Sequence, residues 1–134
     1  IKGLSALDNV MLPAYPLGPP HAELVARARA VMAGLGLGAR ESTRVELLSG
    51  GEMQRTAIAR ALINDPAIVI ADEPTANLDS ALTRQFLDIV AELKARGKTL
   101  ILSSHDPRIT GAKEIDHVVQ MADGRLLGQG THPA

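Results

Sequence analysis

Apolar residues in the first half of the chain recur at helical spacing. Between Ala22 and Leu35 they lie three or four positions apart, which predicts an amphipathic helix. A second helix is predicted from Ser49 to Asp65, because Pro66 blocks its continuation. Few strand-like runs interrupt this part of the chain. The pattern therefore predicts a helical subdomain over residues 1–65.

The second half of the chain alternates apolar runs with a helix. Ala67 to Ala71 and Thr99 to Leu102 are continuous apolar runs rich in β-branched residues, which predicts strands buried on both faces of a parallel sheet. A helix is predicted between them from about Ser80, with Gly97 as its stop. Two parallel strands are usually joined by a crossover helix, and this connection is right-handed in nearly all proteins. The order strand, helix, strand therefore predicts that the two strands run parallel.

The pattern near the C-terminus is that of a hairpin. Two apolar runs, His117 to Met121 and Arg125 to Leu127, flank an Asp-Gly pair at Asp123 and Gly124, and Asp-Gly favours a tight turn. Residues 66–134 are predicted as one part of the fold. The fold class is therefore α/β, with a helical subdomain, parallel strands joined by a crossover helix, and a C-terminal β-hairpin.

Composition narrows the chemistry more than the fold. The chain has 134 residues, a net charge of -1 and no cysteine. The small net charge gives no electrostatic footprint for binding nucleic acid. The absence of cysteine excludes disulfides and thiolate metal sites. With one Tyr, one Phe and no Trp, the core must be aliphatic. No apolar run approaches the roughly 20 residues that span a bilayer.

The start of the second helix carries the first candidate site. Ser49 and Glu52 have the S-x-x-E spacing of a capping box, in which each side chain binds a backbone N–H at the other's position. Gly50 and Gly51 occupy the first helical positions, although glycine costs roughly 1 kcal/mol relative to alanine inside a helix. One interpretation is simply a well-capped helix. The other is a helix N-terminus whose bare amides bind an anion, and both can hold.

The end of the first strand carries the second candidate site. Asp72 and Glu73 are adjacent carboxylates at the carboxyl edge, where ligands bind in open α/β sheets. Successive strand side chains point to opposite faces, so the two carboxylates can have different functions. His105 follows the second strand, and parallel strands place it at the same edge. The alternative is a solvated turn before Pro74, but the nearby glycine-rich helix start favours a functional pair.

These residues, in this order, resemble the C-terminal part of an ABC transporter nucleotide-binding subunit. The resemblance assigns the signature motif to Leu48–Glu52, the Walker B strand to Ile68–Asp72, the D-loop to Asn77–Asp79 and the switch histidine to His105. The sequence of the D-E-P-T-A-N-L-D segment is most similar to the lipoprotein-release and macrolide-export branch. The phosphate-binding sequence G-x-x-x-x-G-K-[ST] does not occur in the chain. The implied fold is a partial P-loop NTPase of the ABC type without its Walker A half, and residues 66–134 would be the C-terminal part of the ATPase core.

The resemblance also implies roles for the strand-edge residues in an ATPase. Glu73 would accept a proton from, or orient, the water that attacks the γ-phosphate of ATP. Asp72 would hold Mg²⁺ through water, and His105 would contact the γ-phosphate.

For the remaining motifs, the resemblance implies a site shared between two subunits. Ser49, Gly50, Gly51 and Glu52 would belong to the site of the nucleotide held by the opposite subunit of a head-to-tail dimer. Asp79 would couple the two sites across that interface.

The partners implied by the resemblance are a second nucleotide-binding subunit and a transmembrane permease, with the protein peripheral on the inner, cytoplasmic face of the cell membrane. Two alternatives remain: a non-transport ATPase of the ABC class, or a non-catalytic fragment or interaction module. Because the P-loop is missing, we expect the chain alone to be inactive and to bind ATP·Mg²⁺ no tighter than roughly millimolar. An unpaired strand edge also leads us to expect self-association.

Overall fold

The computed structural model describes residues 1–76 and 78–131, and these form two compact units. The first, here called the helical unit, comprises residues 1–69 and 97–99. The second, called the strand unit, comprises residues 70–96 and those from 100 onward. The predicted division into subdomains 1–65 and 66–134 stays a prediction.

Three α-helices and three short 3-10 helices form most of the helical unit. Its elements are α1 (Ala6–Met11), 3-10 turns at Leu12–Leu17, Gly38–Arg40 and Val45–Leu47, α2 (His21–Gly34) and α3 (Gly50–Leu62). Helix α1 begins at Ser5, whose hydroxyl accepts from the Asp8 N–H. Helix α3 ends three residues before the predicted Asp65, which itself has a positive φ of 48°.

The core of the helical unit is aliphatic, as the composition requires. Its largest fully buried side chains are Val10, Met11, Leu24, Met32, Leu37 and Ile63. They come from α1, α2, the connection after α2 and the C-cap of α3, and Ala59 of α3 joins them, so the core draws together every α-helix of the unit. Burial of each such side chain contributes about 1.5–3 kcal/mol.

The predicted parallel strands are confirmed. Strands β1 (Ile68–Asp72) and β2 (Thr99–Ser103) form a two-stranded sheet. The Thr99 N–H donates to the Ala67 carbonyl at 2.9 Å, and the Glu73 N–H donates to the Ser103 carbonyl at 3.0 Å. The starts of both strands are therefore paired, as are their ends, which makes the strands parallel.

The prediction that both faces of these strands are buried is wrong. Alternate positions are exposed along each strand: Ile68 is 55% exposed, Ile70 75% and Ile101 53%. Burying both faces of a sheet requires a covering layer on each side. At these positions no such layer comes from the described residues. A continuous apolar run shows that a strand can be buried on both faces, but not which segment covers it.

Helix α4 (Ser80–Ala95) connects the two strands and begins and ends as predicted. The Asp79 side chain caps its N-terminus, and Gly97 follows it with a φ of 75°. Its buried face consists of Thr83, Phe86, Leu87, Val90 and Leu93. Two cations of this helix bind the segment before the hairpin, since Arg84 contacts the nearly buried Glu114 carboxylate at 2.5 Å and Lys94 contacts Asp116 at 2.7 Å.

The C-terminal hairpin is confirmed. A short helix α5 (Pro107–Thr110) precedes strands β3 (His117–Ala122) and β4 (Arg125–Thr131), which pair antiparallel. Asp123 and Gly124 have φ values of 48° and 71°. Positive φ at both central residues is typical of the type I′ turn that matches strand twist.

Candidate functional site

The N-terminus of α3 contains the complete capping box predicted from Ser49 and Glu52. The Ser49 hydroxyl accepts from the Glu52 N–H at 3.3 Å, and Glu52 Oε2 accepts from the Ser49 N–H at 2.8 Å. Each of the two side chains therefore binds a backbone N–H at the other's position, as the S-x-x-E spacing predicts.

Arg40 completes this cap, and sequence reasoning missed it. Its Nε donates to Glu52 Oε1 at 2.7 Å, so both carboxylate oxygens of Glu52 are bound within the helical unit. The Ser49 N–H, followed by the Arg40 guanidinium, lowers the pKa of Glu52 to about 2. Arg40 lies 12 residues upstream on a separate 3-10 turn, and no local spacing rule connects it to the helix.

The two glycines of the helix start differ in their surroundings. Gly51 is buried, whereas Gly50 is exposed, and a Cβ added at Gly50 would meet no atom within 4 Å in the described part of the chain. The backbone at Gly50 is thus open to approach at the N-terminus of a 13-residue helix. That end of a helix favours negative charge.

At the carboxyl edge of the sheet, Asp72 and Ser103 are neighbours. Every second residue of a strand lies on the same face. One face of β1 therefore carries Ile68, Ile70 and Asp72, and the matching face of β2 carries Thr99, Ile101 and Ser103. The Ser103 hydroxyl donates a hydrogen bond to Asp72 Oδ1. It also accepts from the Glu73 N–H at 3.3 Å.

Glu73 leaves the strand in an unusual backbone conformation and contacts His105. Its φ is 45°, in the left-handed region that few residues other than glycine adopt. Glu73 Oε1 lies 2.7 Å from His105 Nδ1, and the histidine side chain is 87% exposed. The Glu73 carboxylate raises the pKa of His105, mainly through this hydrogen bond. The pair can hold a proton between a carboxylate and an imidazole at the sheet edge.

The segment after His105 is bonded to the start of α4. Asp79 Oδ1 accepts from the Leu82 N–H at 2.8 Å as the helix cap. Arg108 pairs with Asp106 at 2.7 Å and donates to the Ser80 hydroxyl at 3.3 Å. Of the predicted D-loop, Asn77 lies outside the described residues.

The structure thus brings together Asp72, Glu73 and His105, as the order of elements predicts. It places the four residues from Ser49 to Glu52 at one helix start in the helical unit, and Asp79 at a helix start in the strand unit. Ser103 and Arg108 also bind these residues or their neighbours and were not predicted. A signal for Ser103 existed, because the parallel register places it opposite Asp72.

Comparison with known proteins agrees with the order of these motifs. A family model described as ABC transporter matches residues 2–76, which is more than half of the chain. The chain belongs to the ABC transporter family. This confirms the resemblance predicted from the motifs.

Relatives within the ABC transporter family fall in the predicted branch. The macrolide export ATP-binding/permease protein MacB of Rhodospirillum rubrum is 42% identical over 134 residues, which are 100% of this chain and 20% of that protein. The lipoprotein-releasing system ATP-binding protein LolD of Aquifex aeolicus is 40% identical over 132 residues, 98% of this chain and 58% of that protein. The chain therefore spans a fifth to under two thirds of these ABC relatives.

Solved ABC cassettes share the fold. The dimeric structure of the bacterial ABC transporter cassette MJ0796 superposes with a TM-score of 0.82 at 32% identity, over 98% of this chain and 58% of that one. The ADP conformation of the ATP-binding cassette MJ1267 gives a TM-score of 0.87 at 27% identity, over 96% and 56%. The predicted fold class is confirmed. Among the described residues, no helix has both the length and the apolar character needed to cross a bilayer.

Proposed function

We propose that this chain is the C-terminal part of an ATP-binding cassette that hydrolyses ATP to power transport. The observation that carries the proposal is the 2.7 Å contact between Glu73 and His105 at the carboxyl edge of parallel strands, with Asp72 beside it. A carboxylate and an imidazole at such an edge can handle a proton next to a bound phosphate. Family membership supplies the class of reaction.

Within this proposal, Glu73 is the group that orients the attacking water or accepts its proton. Phosphoryl transfer depends chiefly on positioning and on stabilising charge, which suits a carboxylate at a fixed place. His105 contacts the γ-phosphate of ATP. Its elevated pKa favours the protonated ring, and a cationic imidazole attracts a phosphate oxygen.

The donor set at the strand edge fits Mg²⁺. This ion prefers oxygen ligands, retains several waters, and is commonly bound through one or two carboxylates plus phosphate oxygens. Asp72 is an exposed carboxylate with the Ser103 hydroxyl beside it. Within the described ranges, no group of three or more His, Cys, Asp or Glu side chains is arranged to hold a metal ion by itself. Asp72 would therefore hold the ion through water, with most other ligands supplied by water and ATP, and the metal would neutralise phosphate charge.

The α3 N-terminus is proposed to bind the γ-phosphate of the nucleotide held by the opposite subunit. The helix start favours negative charge, and Gly50 exposes bare backbone there. The Glu52 carboxylate is bound by Ser49 and Arg40 and carries a full negative charge. Glu52 therefore acts on this site by holding Ser49 in place rather than by touching phosphate.

The partners proposed for the complete protein are a second cassette, arranged head to tail, and a transmembrane permease. The protein would then be peripheral on the inner face of the membrane. Names of relatives support this, since MacB is an ATP-binding/permease protein and MJ0796 was solved as a dimer. Asp79 is proposed to couple the two nucleotide sites, although its side chain also caps α4.

The decisive experiment compares two variants of the full-length gene product. Glu73→Gln keeps the size of the side chain and removes the negative carboxylate that acts as the base. ATP turnover should therefore fall about 100-fold to 10,000-fold while ATP-driven dimerisation survives. Gly50→Asp places a negative charge where a partner's phosphate would dock, so turnover and dimerisation should both be lost. Folding should tolerate it, because the position is open and an acidic residue suits a helix start.

The control is Gly50→Asn, which has the same size without the charge and should dimerise better than Gly50→Asp. Turnover is measured as phosphate release and dimerisation by size-exclusion chromatography with ATP. If Glu73→Gln and Gly50→Asp behave alike in both assays, the proposed division of roles is wrong. If the unaltered protein releases no phosphate, the proposed function itself is wrong.

A further inference from the structure

The hydroxyl of Ser103 joins the two carboxylate residues of the strand edge. It donates to Asp72 Oδ1 and accepts from the backbone N–H of Glu73. A serine hydroxyl has one proton and two lone pairs, so these two bonds use its proton and one acceptor site. In the described part of the chain, no other side chain is hydrogen-bonded to both of these adjacent residues.

The register of the sheet explains why Ser103 can do this. Asp72 ends the exposed face of β1, Ser103 ends the same face of β2, and the strands are parallel neighbours. Glu73 follows directly with a φ of 45°, and its N–H is shared between the Ser103 carbonyl at 3.0 Å and the hydroxyl at 3.3 Å. The last residue of β2 therefore fixes the point where the chain leaves β1.

We propose that Ser103 is a positioning residue that orients the Asp72 carboxylate for Mg²⁺ and fixes the backbone from which Glu73 projects. This inference rests on the proposed function. By holding Oδ1, the hydroxyl limits rotation of the carboxylate, and hydrogen bonds of this kind to metal-binding carboxylates typically contribute 10-fold to 100-fold in metal affinity or activity. Ser103 acts through Asp72 and Glu73 and need not touch ATP.

The test uses the full-length gene product with ADP and Mn²⁺, which substitutes for Mg²⁺ and is observed by electron paramagnetic resonance. Ser103→Ala removes the hydroxyl and should weaken Mn²⁺ binding about 10-fold, with a parallel rise in the Mg²⁺ concentration that gives half-maximal ATP turnover. Ser103→Thr keeps the hydroxyl and suits a strand, so it should bind Mn²⁺ within about threefold of the unaltered protein.

Ser104→Ala is the matched control. It removes the adjacent hydroxyl, which accepts from the Asp106 N–H at 3.1 Å, whereas the hydroxyl bound to Asp72 is that of Ser103. It should leave Mn²⁺ affinity within about twofold.

Three results would overturn the positioning role: unchanged Mn²⁺ affinity in Ser103→Ala, equal losses in Ser103→Ala and Ser103→Thr, or an equal loss in Ser104→Ala. Each is compatible with normal ATP turnover by the unaltered protein, which would leave the proposed function intact. Absence of turnover in the unaltered protein contradicts the proposed function instead, and the Mn²⁺ measurement still decides whether Ser103 orients Asp72.

Discussion

The helical unit and the strand unit differ in how far they bury their apolar side chains and enclose their candidate sites. In the helical unit, the core residues Val10, Leu24 and Ile63 are at most 1% exposed, and the helix start that forms its candidate site is bonded entirely by residues of that unit. In the strand unit, Ile70 and Ile101 remain mostly exposed, and the site is an open edge. The core of the helical unit is thus closed by its own residues, whereas the strand unit leaves the apolar face of its strands and a reactive edge exposed.

The largest effect that tests this contrast is on folding stability. Leu24→Ala should lower the free energy of unfolding by about 3 kcal/mol, because it leaves a cavity in a closed core. Ile70→Ala removes a side chain that is 75% exposed and should change it by less than about 0.5 kcal/mol. Urea unfolding of the chain, followed by circular dichroism, measures both. Similar costs for the two variants would contradict the contrast.

Self-association of the chain is the next effect. Because Ile70 and Ile101 expose apolar surface beside a strand edge, we expect the mean mass to rise with protein concentration in light scattering. Ile70→Lys should shift the chain toward monomer, since a charge on a strand face opposes pairing. The matched control is Leu47→Lys in the helical unit, where Leu47 is 74% exposed and Ile70 is 75% exposed. A chain that is monomeric at high concentration would show that the exposed face is not adhesive.

Loss of the helix cap should have a smaller effect. Ser49→Ala removes the hydroxyl that accepts from the Glu52 N–H and should lower the free energy of unfolding by about 1 kcal/mol. Ser42→Ala, at an exposed position, is the control and should change it by less than about 0.5 kcal/mol. Urea unfolding again gives both values, and equal effects would mean that the cap adds no stability of its own.

The smallest effect is a change in the titration of one carboxyl. The pKa of Glu52 is about 2 in the folded chain against an ordinary 4.5, so its contribution to stability is present above about pH 4.5 and is lost as the pH falls toward 2. Arg40→Met should raise this pKa only part of the way to 4.5, because the Ser49 N–H is its larger cause. Carbon NMR of the carboxyl measures it.

Arg29→Met is the control for that titration. Arg29 binds Glu41 at 2.7 Å and should leave the pKa of Glu52 unchanged while the pKa of Glu41 rises. If Arg29→Met moves the pKa of Glu52 as much as Arg40→Met does, the contact between Arg40 and Glu52 is not the cause.

Local chemistry made the helical site predictable from sequence, and longer-range geometry limited the rest. The capping box is set by residues three positions apart, and the meeting of Glu73 with His105 follows from the order of strand, helix and strand. Arg40 could not be found this way, because its contact depends on the path of a connection. Burial of both strand faces was predicted wrongly, because the hydrophobicity of a strand does not show which segment of the chain covers it. Predicting the contact of Ser103 with Asp72 requires knowing the strand register to within one residue.

The left-handed backbone of Glu73 restricts which amino acids can replace it, independently of catalysis. A φ of 45° costs a residue with a Cβ roughly 1–2 kcal/mol, more for β-branched side chains and almost nothing for glycine. A library at position 73 sorted only for folding should thus enrich glycine, asparagine and aspartate and deplete valine, isoleucine and threonine. One sorted for ATP turnover should retain glutamate. Two selections with opposite preferences then act on one codon, and a sequence that keeps glutamate there retains a residue that folding alone would discard.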